Sequence, residues 1–153
     1  MAKQQAIAPS WRGPWRIHFF MRHGADDSAC SVPGQDFLDS CPVAVAAKIA
    51  AVLKAVAEAP PPQFSGGGMW EAMHDDMKGL YEVRVDGPGR RHYRLFCLLE
   101  RQGRETGLGG PSIVIIAGKV KPFGSTLAPK EYRAVRSLSD EYLARVPRSV
   151  APG

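Results

Sequence analysis

Hydrophobic and polar residues follow two different spacings along the chain, and each change of spacing marks a predicted element. Residues 15–20 are aromatic and β-branched, which predicts a first strand. A short helix is predicted over residues 35–39 and a longer one from Pro42, since proline is favoured at the first helical position. The apolar stripe of the longer helix consists of Val45, Ile49, Val52, Leu53 and Val56. Prolines at 60–62 end this helix, and glycines at 66–68 form a flexible link.

The second half of the chain predicts three strands and a final helix. The strands over residues 80–85, 92–100 and 113–117 form a β-meander, and the five consecutive apolar residues of the last one predict burial on both faces. The final helix is predicted over residues 129–145. The order is therefore β-α-α-β-β-β-α, an α+β fold with helices packed on one face of an antiparallel sheet.

Composition indicates one globular domain, because 44% of the 153 residues are hydrophobic and 23% are charged. We expect a flexible leader over residues 1–14, a single domain over 15–145 and a frayed tail over 146–153. No segment is apolar enough to span a membrane, and the first residues lack the apolar core of a secretory signal. Three cysteines and four histidines form no zinc-binding spacing. These features predict a cytoplasmic protein without a metal or cofactor.

Positive charge is concentrated in the second half of the chain. Residues 1–77 hold 6 Lys/Arg and 8 Asp/Glu, a net charge of −2, whereas residues 78–153 hold 14 and 7, a net charge of +7. Such an excess predicts contact with a polyanion, most plausibly nucleic acid. On charge alone, an ordinary solvated basic surface explains it about equally well.

Strand alternation sorts the side chains of the meander onto two faces. The face predicted to meet the helices carries Tyr81, Val83, Val85, Tyr93, Leu95 and Cys97. The opposite face carries the charged residues Glu82, Arg84, His92 and Arg94, above Phe96 and Leu98. Lys119 and Lys121 follow at the end of the last strand, beside this charged face if the strands run as a meander.

The charged face matches the needs of RNA cleavage without a metal. That reaction needs a base for the 2′-hydroxyl, cations for the phosphate and a proton donor for the leaving 5′-oxygen. Arg84 and Arg94 suit the phosphate, because a guanidinium stays charged and binds two oxygens at once. Glu82 or His92 would move the protons. The alternative is a cross-strand charge ladder worth roughly 0.2–1 kcal/mol per pair, and spacing alone slightly favours it.

Three segments together resemble a known family. Residues 78–84 (KGLYEVR), 93–96 (YRLF) and 113–121 (IVIIAGKVK) are similar in order and spacing to the core of the RelE/HigB-like toxins of bacterial type II toxin–antitoxin systems, and most closely to the phage-derived HigB branch of this RelE/ParE superfamily. The resemblance covers roughly residues 11–145. It implies an mRNA interferase, an endoribonuclease that cuts mRNA on the ribosome. It also implies a cognate antitoxin, often a helix-turn-helix protein.

The resemblance also implies roles for particular residues. Arg84 and Arg94 match phosphate-binding cations, Glu82 matches a position that is basic or acidic in different branches, and Lys119 and Lys121 match a basic cluster. The chain departs from the family within residues 119–122, where Lys119 takes the position of an aromatic residue and Pro122 that of a second lysine. The catalytic candidates are thus Glu82, Arg84, His92 and Arg94. The RNA-binding candidates are Lys78, Lys119, Lys121, Lys130 and Arg133, the last two on a helix that also offers Tyr132 and Tyr142 without an obvious role.

Two other functions compete with the nuclease. The superfamily includes ParE-like members that poison gyrase, so the same fold is compatible with a toxin that does not cut RNA. A basic RNA-binding or ribosome-binding domain without toxicity is the simplest alternative.

Overall fold

A computed structural model describes residues 14–59 and 68–152. Most of the predicted leader (1–14), the prolines at 60–62 and the first two glycines of the run at 66–68 lie outside these ranges. The strands are β1 (Arg16–Phe19), β2 (Trp70–Ala72), β3 (Leu80–Gly87), β4 (Arg91–Glu100) and β5 (Ser112–Pro122). The helices are α1 (Pro33–Ser40), α2 (Val43–Glu58) and α3 (Pro129–Leu143), and a 3₁₀ turn covers Asp75–Met77.

The predicted meander is confirmed at the centre of a five-stranded sheet of order β1-β5-β4-β3-β2. β3, β4 and β5 pair antiparallel. Two features of the sheet differ from the prediction. β2 is an additional strand, only three residues long, which pairs antiparallel with β3. β1 pairs parallel with β5, so the sheet is mixed rather than antiparallel.

Each face of the sheet supports its own apolar core. On one face, the predicted stripe of α2 is buried against residues such as Val83, Leu95 and Ile115, and α1 lies against β5. On the other face, α3 buries Val135 and Tyr142 in a cluster with β4 and β5. The α+β class is therefore confirmed, but the helices cover both faces rather than one. β5 is apolar on both sides through residues 113–117 and so supports helices on each.

The last described residues, within the predicted tail over residues 146–153, lie along the β1 edge of the sheet. Phe20 forms an antiparallel bridge with Val150, and the Ala151 amide donates to the Phe19 carbonyl at 2.8 Å. Arg148 lies 2.8 Å from a carboxylate oxygen of Glu100, with only 12% and 13% of the two side chains exposed. The segment is held because it covers backbone groups of an edge strand that would otherwise be unpaired.

Candidate active site

Three neighbouring strands align their cations in one row. Arg84 of β3 pairs with Arg94 of β4, which in turn pairs with Lys119 of β5. The six side chains named here the charged cluster are Glu82, Arg84, His92, Arg94, Lys119 and Lys121. The prediction that Glu82, Arg84, His92 and Arg94 share one face is confirmed by this register, and both lysines join them.

The position of the two lysines depends on a β-bulge. β5 holds one extra residue, Ile116, between the partners of Cys97 and Phe96. An extra residue reverses the alternation of side chains beyond it. Lys119 and Lys121 therefore lie across from Arg94 and His92, instead of sharing the α1 face with the residues at the start of β5. Sequence parity alone gives no sign of this reversal.

Arg94 is the buried centre of the charged cluster, with 4% of its surface exposed. Its Nε lies 3.9 Å from Glu82 Oε2 and its Nη1 lies 4.0 Å from Asp86 Oδ1. Nη1 also donates to the Tyr93 carbonyl at 3.3 Å. Burial lowers the pKa of the Arg94 guanidinium, while the charge of Glu82 opposes that change. The side chain is therefore fixed from two sides and stays a cation.

Glu82 is the carboxylate closest to both arginines. Its Oε1 lies 3.5 Å from Arg84 Nε, and 14% of its side chain is exposed. Burial raises the pKa of the Glu82 carboxyl, and the charges of Arg94, Arg84 and Lys121 reduce this rise without cancelling it. A carboxylate with a raised pKa is a stronger base than a solvated one, which suits proton abstraction.

Arg84 is the accessible cation of the row, with 41% of its side chain exposed. Besides Glu82, it meets Glu71 of β2, whose Oε1 lies 3.6 Å from Arg84 Nη1. Sequence reasoning missed Glu71 because β2 is too short to show a period. Both contacts are long and partly exposed, so each is weak and an RNA phosphate can displace them.

The two lysines are available for a ligand. Among residues 14–59 and 68–152, no carboxylate lies within ion-pair distance of Lys119 or Lys121. Burial, followed by the charge of Arg94, lowers the pKa of Lys121, while Glu82 opposes the change. An ammonium group with a lowered pKa gives up its proton more readily, which suits a general acid.

His92 is held at the end of the charged cluster. Its Nδ1 hydrogen-bonds Asp86 Oδ1, and its ring stacks on Phe123 with centroids 4.5 Å apart. Asp86 lies just beyond the predicted strand over residues 80–85, but β3 continues to Gly87 and so brings Asp86 directly across from His92. Carboxylate and ring together fix the orientation of the imidazole, as in sites where a histidine moves a proton.

Tyr132 of α3 reaches the charged cluster, a position that helical periodicity alone could not reveal. Its ring meets Phe96 edge-on with centroids 6.4 Å apart. Burial raises the pKa of the Tyr132 phenol, and the charge of Glu82 raises it further. The phenol is therefore a neutral hydrogen-bond donor at neutral pH rather than an acid.

A cavity of about 450 Å³ opens over the arginines. It is lined by Arg84, His92 and Arg94, together with Lys48 of α2 and Met69. Lys48 is a further cation that sequence reasoning missed, because α2 is otherwise read as a packing helix. The cavity is large enough for a phosphate and its ribose, and its three cations, Lys48, Arg84 and Arg94, outnumber the one carboxylate of the lining, Asp86.

Neither Glu82 nor any of the five RNA-binding candidates lines this cavity, although Lys119 and Lys121 belong to the charged cluster. Lys78, Lys130 and Arg133 are all exposed, and within the described ranges none of them lines it. Lys78 follows the 3₁₀ turn, where its carbonyl accepts a hydrogen bond from Arg136 at 3.1 Å. Arg133 instead borders a second cavity beside α3, together with His74 and Tyr132.

The described part of the chain contains neither a cluster of metal ligands nor a helix suited to crossing a membrane. No group of three or more His, Cys, Asp or Glu side chains is arranged to hold a metal ion among residues 14–59 and 68–152. Over the same residues, no helix combines the length and apolar character needed to cross a membrane.

Comparison with known proteins gives a distant structural similarity. No protein-family model matches the sequence, and no curated protein matches it significantly. A solved structure of the toxin–antitoxin complex RelBE2 from Mycobacterium tuberculosis is similar with a TM-score of 0.45 and 12% sequence identity. The similarity covers 71% of this chain and 99% of the matched chain.

Proposed function

We propose that this chain is the toxin of a type II toxin–antitoxin system and cuts mRNA on the ribosome without a metal. The observation that carries the proposal is the aligned row of Arg84, Arg94 and Lys119 with Glu82 beside it. A row of cations next to one base-like carboxylate is more than a charge ladder requires, because such a ladder alternates signs. The resemblance of residues 78–84, 93–96 and 113–121 to RelE/HigB-like toxins supplies the reaction class.

In this proposal, each step of the cleavage has its own side chain. Arg84 and Lys119, next to the fixed cation Arg94, hold the scissile phosphate and stabilise its added negative charge. Glu82 takes the proton of the 2′-hydroxyl, whose oxygen then attacks phosphorus. The P–O5′ bond breaks, and the leaving oxygen receives a proton from Lys121, with His92 as the other candidate. The products are a 2′,3′-cyclic phosphate and a 5′-hydroxyl.

The proposal includes partners and a compartment. The cognate antitoxin would be a helix-turn-helix protein, as the sequence resemblance implies, and it would cover the charged cluster. The substrate would be mRNA in the ribosome of a bacterial cytoplasm. The net charge of +7 over residues 78–153 supports binding to such an RNA surface.

Inducible expression in a bacterium tests the proposal. Wild type should arrest growth, and mapping of RNA 5′ ends should reveal cuts in translated frames. Arg84→Ala should abolish both without unfolding the protein, because the side chain is 41% exposed. Arg104→Ala is the matched control, since Arg104 is exposed in the loop after β4, at the far end of that strand from His92. Cuts that persist in Arg84→Ala would refute the assigned site.

A second candidate is a non-cleaving binding protein, such as a ParE-like gyrase inhibitor or a ribosome-binding module. The burial of Arg94 favours it, because a guanidinium that is 4% exposed offers little surface to a phosphate. Growth arrest without translated-frame cuts would support this candidate over the nuclease.

A further inference from the structure

A second cavity of about 620 Å³ lies beside the charged cluster, between the 3₁₀ turn and the first turns of α3. Tyr132 joins the two sites, since it borders this cavity and its phenol is influenced by the charges of Glu82 and Arg94. We propose that the cavity is a subsite for a purine base of the nucleotide next to the scissile phosphate. The inference rests on the proposed function, because a phosphate on the charged cluster brings the base within reach.

The cavity walls offer a surface for stacking. Met77 and Leu127 are buried apolar residues at 7% and 5% exposure, and both border the cavity. Pro129 and the ring of Tyr132 complete this apolar side. Bases of single-stranded RNA are held by stacking on such aromatic and apolar groups. The volume lies in the usual range for small-ligand sites, so a base with its ribose fits.

The polar side of the cavity provides both donors and acceptors. His74, Arg133 and Arg136 can donate hydrogen bonds, and Asp75 and Asp76 can accept them. Within the described residues, no ion pair occupies Asp75, Asp76 or Arg133. Nucleobases present donors and acceptors together, which matches this mixture. Among them, a purine stacks over a larger area than a pyrimidine, and this favours a purine.

The second cavity and the charged cluster differ in charge, and this difference determines which of them binds the phosphate and which binds the base. The second cavity sets two carboxylates against two arginines, so its formal charge is near zero when His74 is neutral. The charged cluster has an excess of cations. An anionic phosphate therefore prefers the cluster, whereas a neutral base loses little by entering the cavity.

The two cavity walls are tied together before any ligand binds. Arg136 of α3 donates from Nη2 to the Lys78 carbonyl at 3.1 Å, just after the 3₁₀ turn. Asp75, at the start of that turn, has a φ of 54°, which non-glycine residues adopt only where surrounding contacts hold them. A preformed site of this kind binds without a large ordering cost.

Calorimetric titration with short 2′-O-methyl RNAs tests the inference, because these RNAs have no free 2′-hydroxyl and cannot be cut. The RNAs form a series in which one position, varied along the chain, carries adenine, uracil or no base. At the position whose base enters the cavity, we expect the abasic RNA to bind about 10-fold more weakly than the adenine RNA and the uracil RNA to bind with intermediate affinity. Arg133→Ala and Asp76→Asn should shrink that difference, and Arg104→Ala should preserve it. Arg133 and Asp76 are exposed, so both variants should fold.

Failure of the inference and failure of the proposed function give different results. Arg84→Ala should weaken every RNA by the same factor; if it weakens none, the proposed function fails and the base subsite fails with it. If Arg84→Ala weakens the binding of all RNAs but wild type binds the adenine, uracil and abasic RNAs equally well, only the base subsite is refuted. Free AMP binding equally to wild type and Arg84→Ala would overturn the RNA subsite in favour of a free-nucleotide site.

Discussion

Arg94 and Lys119 lie directly across from each other on neighbouring strands because β5 contains one residue more than β4 requires. The next position along β5, towards its start, is Gly118, which faces α1. A Cβ atom there would overlap the ring of Phe37, so no side chain fits. A register without the bulge would bring a lysine to this crowded face. Packing against α1 therefore favours the register that puts both lysines beside Arg94.

The two arginines of the cationic row should differ sharply in their effect on stability. Arg94→Ala removes a buried side chain and leaves Glu82 with one arginine fewer, so we expect a loss of about 2–4 kcal/mol in the free energy of unfolding. Arg84→Ala removes a half-exposed side chain with weak ion pairs and should cost at most about 1 kcal/mol. Urea denaturation followed by circular dichroism measures both values. Equal losses would contradict the burial of Arg94.

Glu82 should make stability depend on pH. Burial raises the pKa of its carboxyl in the folded state above the ordinary value of 4.5, so folding takes up a proton in the window that begins near that value. The stability of wild type relative to Glu82→Gln should therefore fall as pH rises from about 4 to about 7. Unfolding of both proteins at a series of pH values tests this. A relative stability that grows with pH would contradict the prediction.

Lys121 should act in catalysis rather than in RNA binding. Lys121→Arg keeps the positive charge but replaces a group that can release its proton with one that stays protonated. We expect the cleavage rate at saturating RNA to fall roughly 10²–10⁴-fold, with RNA affinity nearly unchanged. Single-turnover cleavage and binding titrations separate the two quantities. His92→Gln is the comparison variant. A larger loss of cleavage rate in His92→Gln than in Lys121→Arg would indicate that His92 is the general acid.

The link between Arg148 and Glu100 should stabilise the whole domain. Tyr142 also donates to Glu100 at 2.9 Å, so Arg148→Ala leaves a mostly buried carboxylate with one neutral partner. We expect a loss of about 2–3 kcal/mol in the free energy of unfolding. Arg145→Ala is the matched control, because its pair with Asp26 is about one-third exposed and should be worth at most about 1 kcal/mol. Similar effects of the two variants would argue against a structural role for the tail.

The sequence pattern predicted those structural features that depend on residues close together in the chain. Alternation in β3 and β4 assigned Glu82 and Arg94 to one face and Cys97 to the core, and the structure agrees. The predicted final helix over residues 129–145 agrees with α3, but a helical pattern does not specify which face of a sheet the helix meets. β2 was missed because three residues with one buried side chain, Trp70, make no period.

The sequence pattern likewise predicted only part of the candidate site, because the other residues reach it through tertiary packing. Tyr132 and Lys48 reach it from helices that tertiary packing brings near, and no spacing within either helix indicates this. The bulge at Ile116 is also a tertiary result, since nothing in a run of apolar residues marks which one is unpaired. The functional roles of the six residues in the charged cluster remain predictions.

The parallel pairing of β1 with β5 has a consequence for the order in which the strands fold during synthesis. Arg16 finds its partner only at Ser112, and Phe20 meets Val150, whereas β3, β4 and β5 are consecutive in the chain. Contacts between distant parts of a chain form late because closing long loops costs entropy. We expect pulse-labelled hydrogen exchange to protect the amides of β3 and β4 before those of β1; simultaneous protection would contradict this order. The row of Arg84, Arg94 and Lys119 would then be in place before β1 has paired with β5. A partner present during translation would therefore meet these cations before the β1 edge of the sheet has formed.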